Sequence, residues 1–341
     1  MEAGARKISQ SGQDLTYNSC NSGFTFYPFT SVWYVTESIW ILIKLKLYIK
    51  KESVNMNLCD LKTVKGIMKT FGIEFRKEFG QNFLTNRSVV EDIADECCLY
   101  SSNTILEIGP GIGTLTYELC SRYKNVISYE IDKSLIPVLG YTMGEFNNLK
   151  LINEDVMKAD LAGTLAPYMD GGVSVCANLP YYITTPILMM LLESGIPFDY
   201  ITIMIQAEVA DRLCARPGKG DYGAITAVLG YYGTVEKLMT VPASDFVPAP
   251  KVNSAVVRIK LHKDKPFVPK DEKLFFRVIR AAFEQRRKTL QNALSNGMSD
   301  YSKEEIAKAI AACGHREDIR GERLSTEEFV ILADKLYEVK Q

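Results

Sequence analysis

The stretch TILEIGPGIG at residues 104–113 decides the fold. A short apolar, β-branched run ends in three glycines, and a helical pattern follows over residues 114–123. Glycines here let the backbone take positive φ and approach a ligand closely. The helix that opens behind them adds free N–H groups and a positive dipole end. Working outward, residues 126–130 (VISYE) read as a second strand and residues 133–143 as a helix. Residues 149–153, 173–177 and 200–206 read as further strands, with helices over 186–193 and 207–215. This alternation predicts an α/β fold with a parallel, doubly wound sheet. Residues 235–240 and 254–261 are β-rich with no long helix evident between them, so an antiparallel final hairpin is expected. Pro242, Pro248 and Pro250 break regular structure in that connection.

Beyond residue 261 the composition shifts. Residues 262–270 form a polar, proline-containing linker, and residues 274–294, 303–313 and 326–339 read as helices. The expected organisation is an atypical extension over residues 1–55, an α/β domain over 56–265, and a small all-helical domain over 266–341.

The chain has 341 residues, 47% hydrophobic and 24% charged. That composition excludes a disordered or collagen-like chain. Lys and Arg number 40 against 41 Asp and Glu, a net charge of -1, so any polyanion must meet local basic patches. Eight cysteines include no C-x-x-C pair, and the only histidines are His262 and His315. No metal site is expected from that set. Reduced, mostly buried thiols in a cytoplasmic protein are the simplest reading.

Residues 24–49 are aromatic and aliphatic, but a secretory signal would place its apolar stretch soon after Arg6 and Lys7. A membrane span needs about 20 mostly apolar residues. The best stretch, residues 31–49, carries Glu37, Lys44 and Lys46, so no membrane association is expected. Met56 is the expected natural start, with the upstream stretch an over-extended reading frame.

Glu130 ends the second strand about 20 residues past Gly109, where a carboxylate can accept both hydroxyls of a ribose. Asp155 follows the third strand, placed to accept from an adenine amino group, while Asp132 and Glu154 read as surface charges. The loop Glu107-x-Gly109-x-Gly111-x-Gly113 resembles the E-x-G-x-G-x-G loop of methyltransferases that use S-adenosylmethionine. That resemblance implies a Rossmann-like methyltransferase sheet with S-adenosylmethionine as cofactor.

After the fourth strand comes Asn178-Leu179-Pro180-Tyr181, similar to the N/D-P-P-Y/F motif of enzymes that methylate exocyclic amino groups of bases. The adenine N6 lone pair is delocalised into the ring and is a poor nucleophile. Acceptors on its two N–H groups favour a tetrahedral nitrogen; the Asn178 side-chain oxygen and Leu179 carbonyl are the candidates. Pro180 lacks an N–H and stiffens the loop. Tyr181 offers a π face to a base taken out of its stack, and Phe246 is expected to close the other side.

The ordered set FGQNFL (79–84), EIGPGIG, YEID, NLPYYITTP, FVPAPKVNSAVVRI, AFEQRRKTLQNAL and GERLSTEEF is similar to the ribosomal RNA small-subunit adenine dimethyltransferases, from about Met56 to the C-terminus. The resemblance implies transfer of four methyl groups from S-adenosylmethionine to two adjacent adenosines. These lie in a hairpin near the 3′ end of 16S rRNA, within an assembling 30S subunit. It implies cofactor contacts at Asn82, Leu84, Gly109, Glu130, Asp155 and Asn178, with residues 81–84 folding over the cofactor's methionine part. Tyr182 departs mildly from the pattern, since many members have Asn there. Two basic patches could meet RNA phosphates: Lys62, Lys65, Lys69, Arg76 and Lys77; and Arg277, Arg280, Arg286, Arg287 and Lys288. A continuous helix over 274–294 would put Arg280 and Arg287 on similar faces. Competing readings are a large-subunit rRNA adenine methyltransferase conferring macrolide resistance, a binding-only assembly factor, and a nicotinamide dehydrogenase. Nothing points to an obligate oligomer, and a monomer is expected.

Overall fold

The computed structural model describes residues 56–73, 82–98 and 104–341. The expectations for residues 1–55 and for Arg76, Lys77, Phe79, Gly80 and Gln81 lie outside these residues. No helix of the described residues is long and apolar enough to cross a membrane.

The chain enters through α1 (Leu61–Phe71), a two-residue strand β1 (Phe83–Leu84) and α2 (Arg87–Glu96). Then strand and helix alternate: β2 (Thr104–Ile108), α3 (Thr114–Arg122), β3 (Asn125–Tyr129), α4 (Ile136–Thr142), β4 (Leu149–Ile152), α5 (Leu161–Leu165), β5 (Val173–Asn178), α6 (Thr184–Glu193), β6 (Phe198–Gln206) and α7 (Ala207–Leu213). Helix α8 (Ala224–Tyr232) leads into β7 (Gly233–Val241), the short β8 (Phe246–Val247) and β9 (Ser254–Leu261).

The main sheet runs β4-β3-β2-β5-β6-β9-β7. Its first five strands are mutually parallel, and β9 pairs antiparallel with both β6 and β7. Every residue of β2 is buried, as a parallel strand covered on both faces requires. From β2 the chain winds outward to β3 and β4, then returns to the other side of β2 with β5. The order therefore reverses between β2 and β5, the place where open α/β sheets form a ligand crevice at the carboxyl ends of their strands.

Two departures from the sequence reading have clear causes. Helix α8 was not anticipated. Its sequence AITAVLGYY is apolar almost all round, so it lacks the polar face that gives a helical period. It is covered on both sides, joining the sheet core through Leu229 and the C-terminal core through Ala227 and Tyr231. The single helix expected over 274–294 is two: α9 (Glu272–Glu284) and α10 (Leu290–Gly297). Gln285 leaves helical geometry, and Thr289 recaps the chain by accepting from the Asn292 amide. Arg280 and Arg287 thus share no helix face.

Helices α11 (Lys303–Ala312) and α12 (Thr326–Val339) each start with a capping box, Ser302 with Glu305 and Ser325 with Glu328. The C-terminal helices close over a core that includes Phe275, Leu290 and Phe329. Thr326 Oγ1 donates to the Ala227 carbonyl at 2.9 Å, tying α12 to α8.

Candidate active site

Leaving β2, the chain turns through Gly109, Gly111 and Gly113 at φ 73°, 63° and 95°, left-handed values that side chains resist. Gly113 is the residue that caps α3. A Cβ there would stand 2.8 Å from Met143 Cε. At Gly109 nothing lies within 4 Å of the Cβ position, so the loop opens onto empty space.

Beneath this loop lie two buried carboxylates. Glu130 is 5% exposed. Its oxygens accept from the Gly111 amide at 3.2 Å and the Asp132 amide at 2.8 Å. Burial raises its pKa, opposed by those amides and assisted by the nearby Asp132 charge. Glu107 is 1% exposed. It accepts from Ser128 Oγ at 2.6 Å and Thr116 Oγ1 at 3.1 Å. Burial pushes its carboxyl up to about 7; the two hydroxyls oppose that rise and the Glu130 charge adds to it.

Asp132, read from sequence as a surface charge, is buried and caps the turn Lys133–Leu135 by accepting from the Ser134 amide. Glu154 is exposed. Asp155 stands three residues beyond β4 in a turn, where it accepts from the Met157 amide at 3.0 Å.

Across the switch point, β5 ends at Asn178. The Leu179 amide donates to the Met204 carbonyl at 3.3 Å and Leu179 is buried. The Pro180 carbonyl is taken by the Ile183 amide at 3.2 Å. Among the described residues, neither the Asn178 side-chain amide nor the Leu179 carbonyl carries an internal hydrogen bond. Both are therefore available to a ligand. The Tyr181 hydroxyl is 2.7 Å from Ser254 Oγ on β9, which fixes the ring.

The remaining wall comes from a second, two-stranded sheet. β1 and β8 pair antiparallel, Leu84 opposite Phe246 and Phe83 opposite Val247. Asp245 clasps them: its carbonyl accepts from the Thr85 amide at 2.7 Å and its carboxylate from Asn86 Nδ2 at 2.9 Å. The Phe83 ring lies over the glycine loop, 3.1 Å from where a Gly111 Cβ would be.

The structure thus brings Asn82, Leu84, Gly109, Glu130, Asp155, Asn178, Leu179, Pro180, Tyr181 and Phe246 to the wall of one cavity. Sequence reading assigned no individual role to Glu107, Asp245 or Ser254. Glu107 was visible as the acid opening the glycine motif; Asp245 and Ser254 act through pairings of residues far apart in the chain. Among the described residues no cluster of His, Cys, Asp or Glu could hold a metal.

Of the basic residues, Lys62, Lys65 and Lys69 are exposed on α1. Arg277 pairs with Asp300 at 2.7 Å. Arg286 donates to the Gly220 and Tyr222 carbonyls at 2.7 and 2.9 Å. Arg277 and Arg286 are therefore engaged within the protein, whereas Arg280, Arg287 and Lys288 are exposed.

A doubly wound sheet with an antiparallel last hairpin, a glycine loop after β2 and an Asn-Leu-Pro-Tyr turn after β5 defines a methyltransferase of the S-adenosylmethionine-dependent class. Comparison with known proteins agrees. The model of the ribosomal RNA adenine dimethylase family matches residues 72–323. Ribosomal RNA small subunit methyltransferase A of Lachnoclostridium phytofermentans is 45% identical over 281 residues, 81% of this chain and 97% of the relative. The protein of the same name from Bacillus cytotoxicus is 44% identical over 277 residues, 80% of this chain and 94% of the relative. Among solved structures, a dimethyladenosine transferase from Plasmodium falciparum matches with a TM-score of 0.60 and 25% identity, covering 73% of this chain and 95% of that one. The 23S rRNA methyltransferase ErmE matches at 0.59 and 25%, covering 75% and 100%. The chain belongs to the ribosomal RNA adenine dimethylase family.

Proposed function

We propose that this protein dimethylates N6 of two adjacent adenosines in a hairpin near the 3′ end of 16S rRNA. It does so in the cytoplasm, as a monomer, on the assembling 30S subunit and with S-adenosylmethionine. The observation that carries this reading is the pair of uncommitted acceptors, the Asn178 side chain and Leu179 carbonyl, on the same cavity as the glycine loop and Glu130. The small-subunit name carried by relatives at 42–45% identity supports this substrate.

The cofactor fits the residues present: the open space above Gly109 admits it, and the buried Glu130 carboxylate suits a ribose diol. Asn82, Leu84, Gly109, Glu130, Asp155 and Asn178 would hold it. Bound there, S-adenosylmethionine supplies a methyl carbon activated by a sulfonium charge. Asn178 Oδ1 and the Leu179 carbonyl accept the two N6–H bonds of adenine and draw its lone pair out of the ring. Tyr181, fixed through Ser254, stacks on the extruded base, and Phe246 closes the far side. Pro180 stiffens the turn. No strong base is required, because the nitrogen's proton becomes acidic as the methyl arrives and passes to water. Alignment of this kind contributes about 7–11 kcal/mol to a barrier. In this reading residues 56–265 perform the chemistry and residues 266–341 dock the particle, with Arg280, Arg287 and Lys288 facing RNA phosphates.

Asn178→Ala is expected to lose nearly all methyl transfer to 30S particles while keeping part of its binding of labelled S-adenosylmethionine. Activity equal to wild type would remove Asn178 from the mechanism.

A further inference from the structure

The rim of the cavity carries an aromatic ring that the protein leaves bare. Tyr182 lines the cavity and is 64% exposed. It sits inside a hydrogen-bonded turn: the Ile183 amide donates to the Pro180 carbonyl just before α6 begins at Thr184, and the side chain of the preceding Tyr181 is held by Ser254. Among the described residues the ring has no hydrogen-bond, ion or aromatic partner. A large aromatic on a hydrogen-bonded turn, left in water at a cavity mouth, fits a partner with a flat π face.

The position says which partner. The ribose and adenine acceptors Glu130 and Asp155 follow β3 and β4, on one side of the switch point. Tyr182 follows β5, on the side of the proposed target base. Drawing that base out of its stack strips one face from the neighbouring base. Aromatic side chains take up such faces irrespective of sequence.

We propose that Tyr182 stacks on the nucleotide flanking the target adenosine, positioning the RNA strand for transfer. This rests on the rRNA reading above. Tyr181 engages the reacting base and Tyr182 its neighbour, so the two successive rings hold two successive nucleotides.

The test measures KM and kcat on undermethylated 30S particles, with binding of labelled S-adenosylmethionine alongside. Tyr182→Ala is expected to raise KM about 5- to 140-fold with kcat changed less and cofactor affinity unchanged. Tyr182→Phe and Tyr182→Trp should restore the wild-type KM. Tyr182→Leu, which keeps apolar bulk without a ring face, should behave like the alanine variant. An unchanged KM in Tyr182→Ala, rescue by leucine equal to that by tryptophan, or loss of cofactor binding would each overturn the stacking role. Absence of dimethyladenosine with the wild-type protein would instead overturn the substrate reading, and this proposal with it.

Discussion

Replacing Glu107 with glutamine tests the electrostatics under the glycine loop. The carboxyl titrates at 4.5 in its ordinary state and at about 7 in the fold, because burial disfavours its charge. Between those values the native protein holds a proton that the unfolded chain has lost. Stability therefore falls as pH rises through this window and levels off above about pH 7. At 1.36 kcal/mol per pH unit the full gap is about 3 kcal/mol, of which about 2.5 kcal/mol falls between pH 5 and pH 8. Glutamine has nearly the same shape and can still accept from Ser128 or Thr116, but it does not titrate. Urea unfolding of both proteins at pH 5 and pH 8 reads the effect. The variant should gain about 2.5 kcal/mol on wild type across that interval. A difference that does not change with pH would refute a carboxyl held neutral by burial. A difference that moves in wild type's favour as pH rises would mean that the hydroxyls stabilise the anion more than burial opposes it.

Gly113→Ala should cost about 1–3 kcal/mol, because the new side chain must live at φ 95°. The Met143 tip that it meets can move aside, so an unchanged denaturation midpoint would show that the loop itself adapts. Arg286→Ala should lower thermal stability by removing the bonds to the Gly220 and Tyr222 carbonyls, costing about 1–2 kcal/mol. The paired change Arg287→Ala with Lys288→Ala should leave stability intact and flatten the salt dependence of particle binding by about 1.5 in slope. A salt slope unchanged in that double variant would make the patch ordinary surface.

The parts that could be read from sequence share a physical character: they are local. Residues 104–113 carry a strand, a turn and a helix start within ten positions, and the turn demands glycine wherever φ is positive. The Asn-Leu-Pro-Tyr turn is equally compact. The place of Glu130 beside the loop was legible because a strand end about 20 residues past a glycine loop is a fixed place in such sheets. What stayed hidden depends on distant partners. The β1–β8 pair joins Leu84 to Phe246, and no local pattern marks either two-residue strand. Helix α8 was missed because burial on both sides erased its period. Asp132 misread as surface for the opposite reason: its charge is satisfied by capping a turn, and a sequence does not display that cap's burial. The break between α9 and α10 also depends on tertiary contact, with Arg286 drawn toward Gly220 and Tyr222 and the Leu290 amide donating to the Ile319 carbonyl at 2.7 Å.

The central claim is tested most directly on the product. Undermethylated 30S particles and, in parallel, 50S particles are incubated with the protein and labelled S-adenosylmethionine; the RNA is then digested to nucleosides and read by mass spectrometry. The account predicts N6,N6-dimethyladenosine from the 30S particles alone. Dimethyladenosine in 50S RNA, or no methylated adenosine in either despite demonstrated cofactor binding, would contradict it.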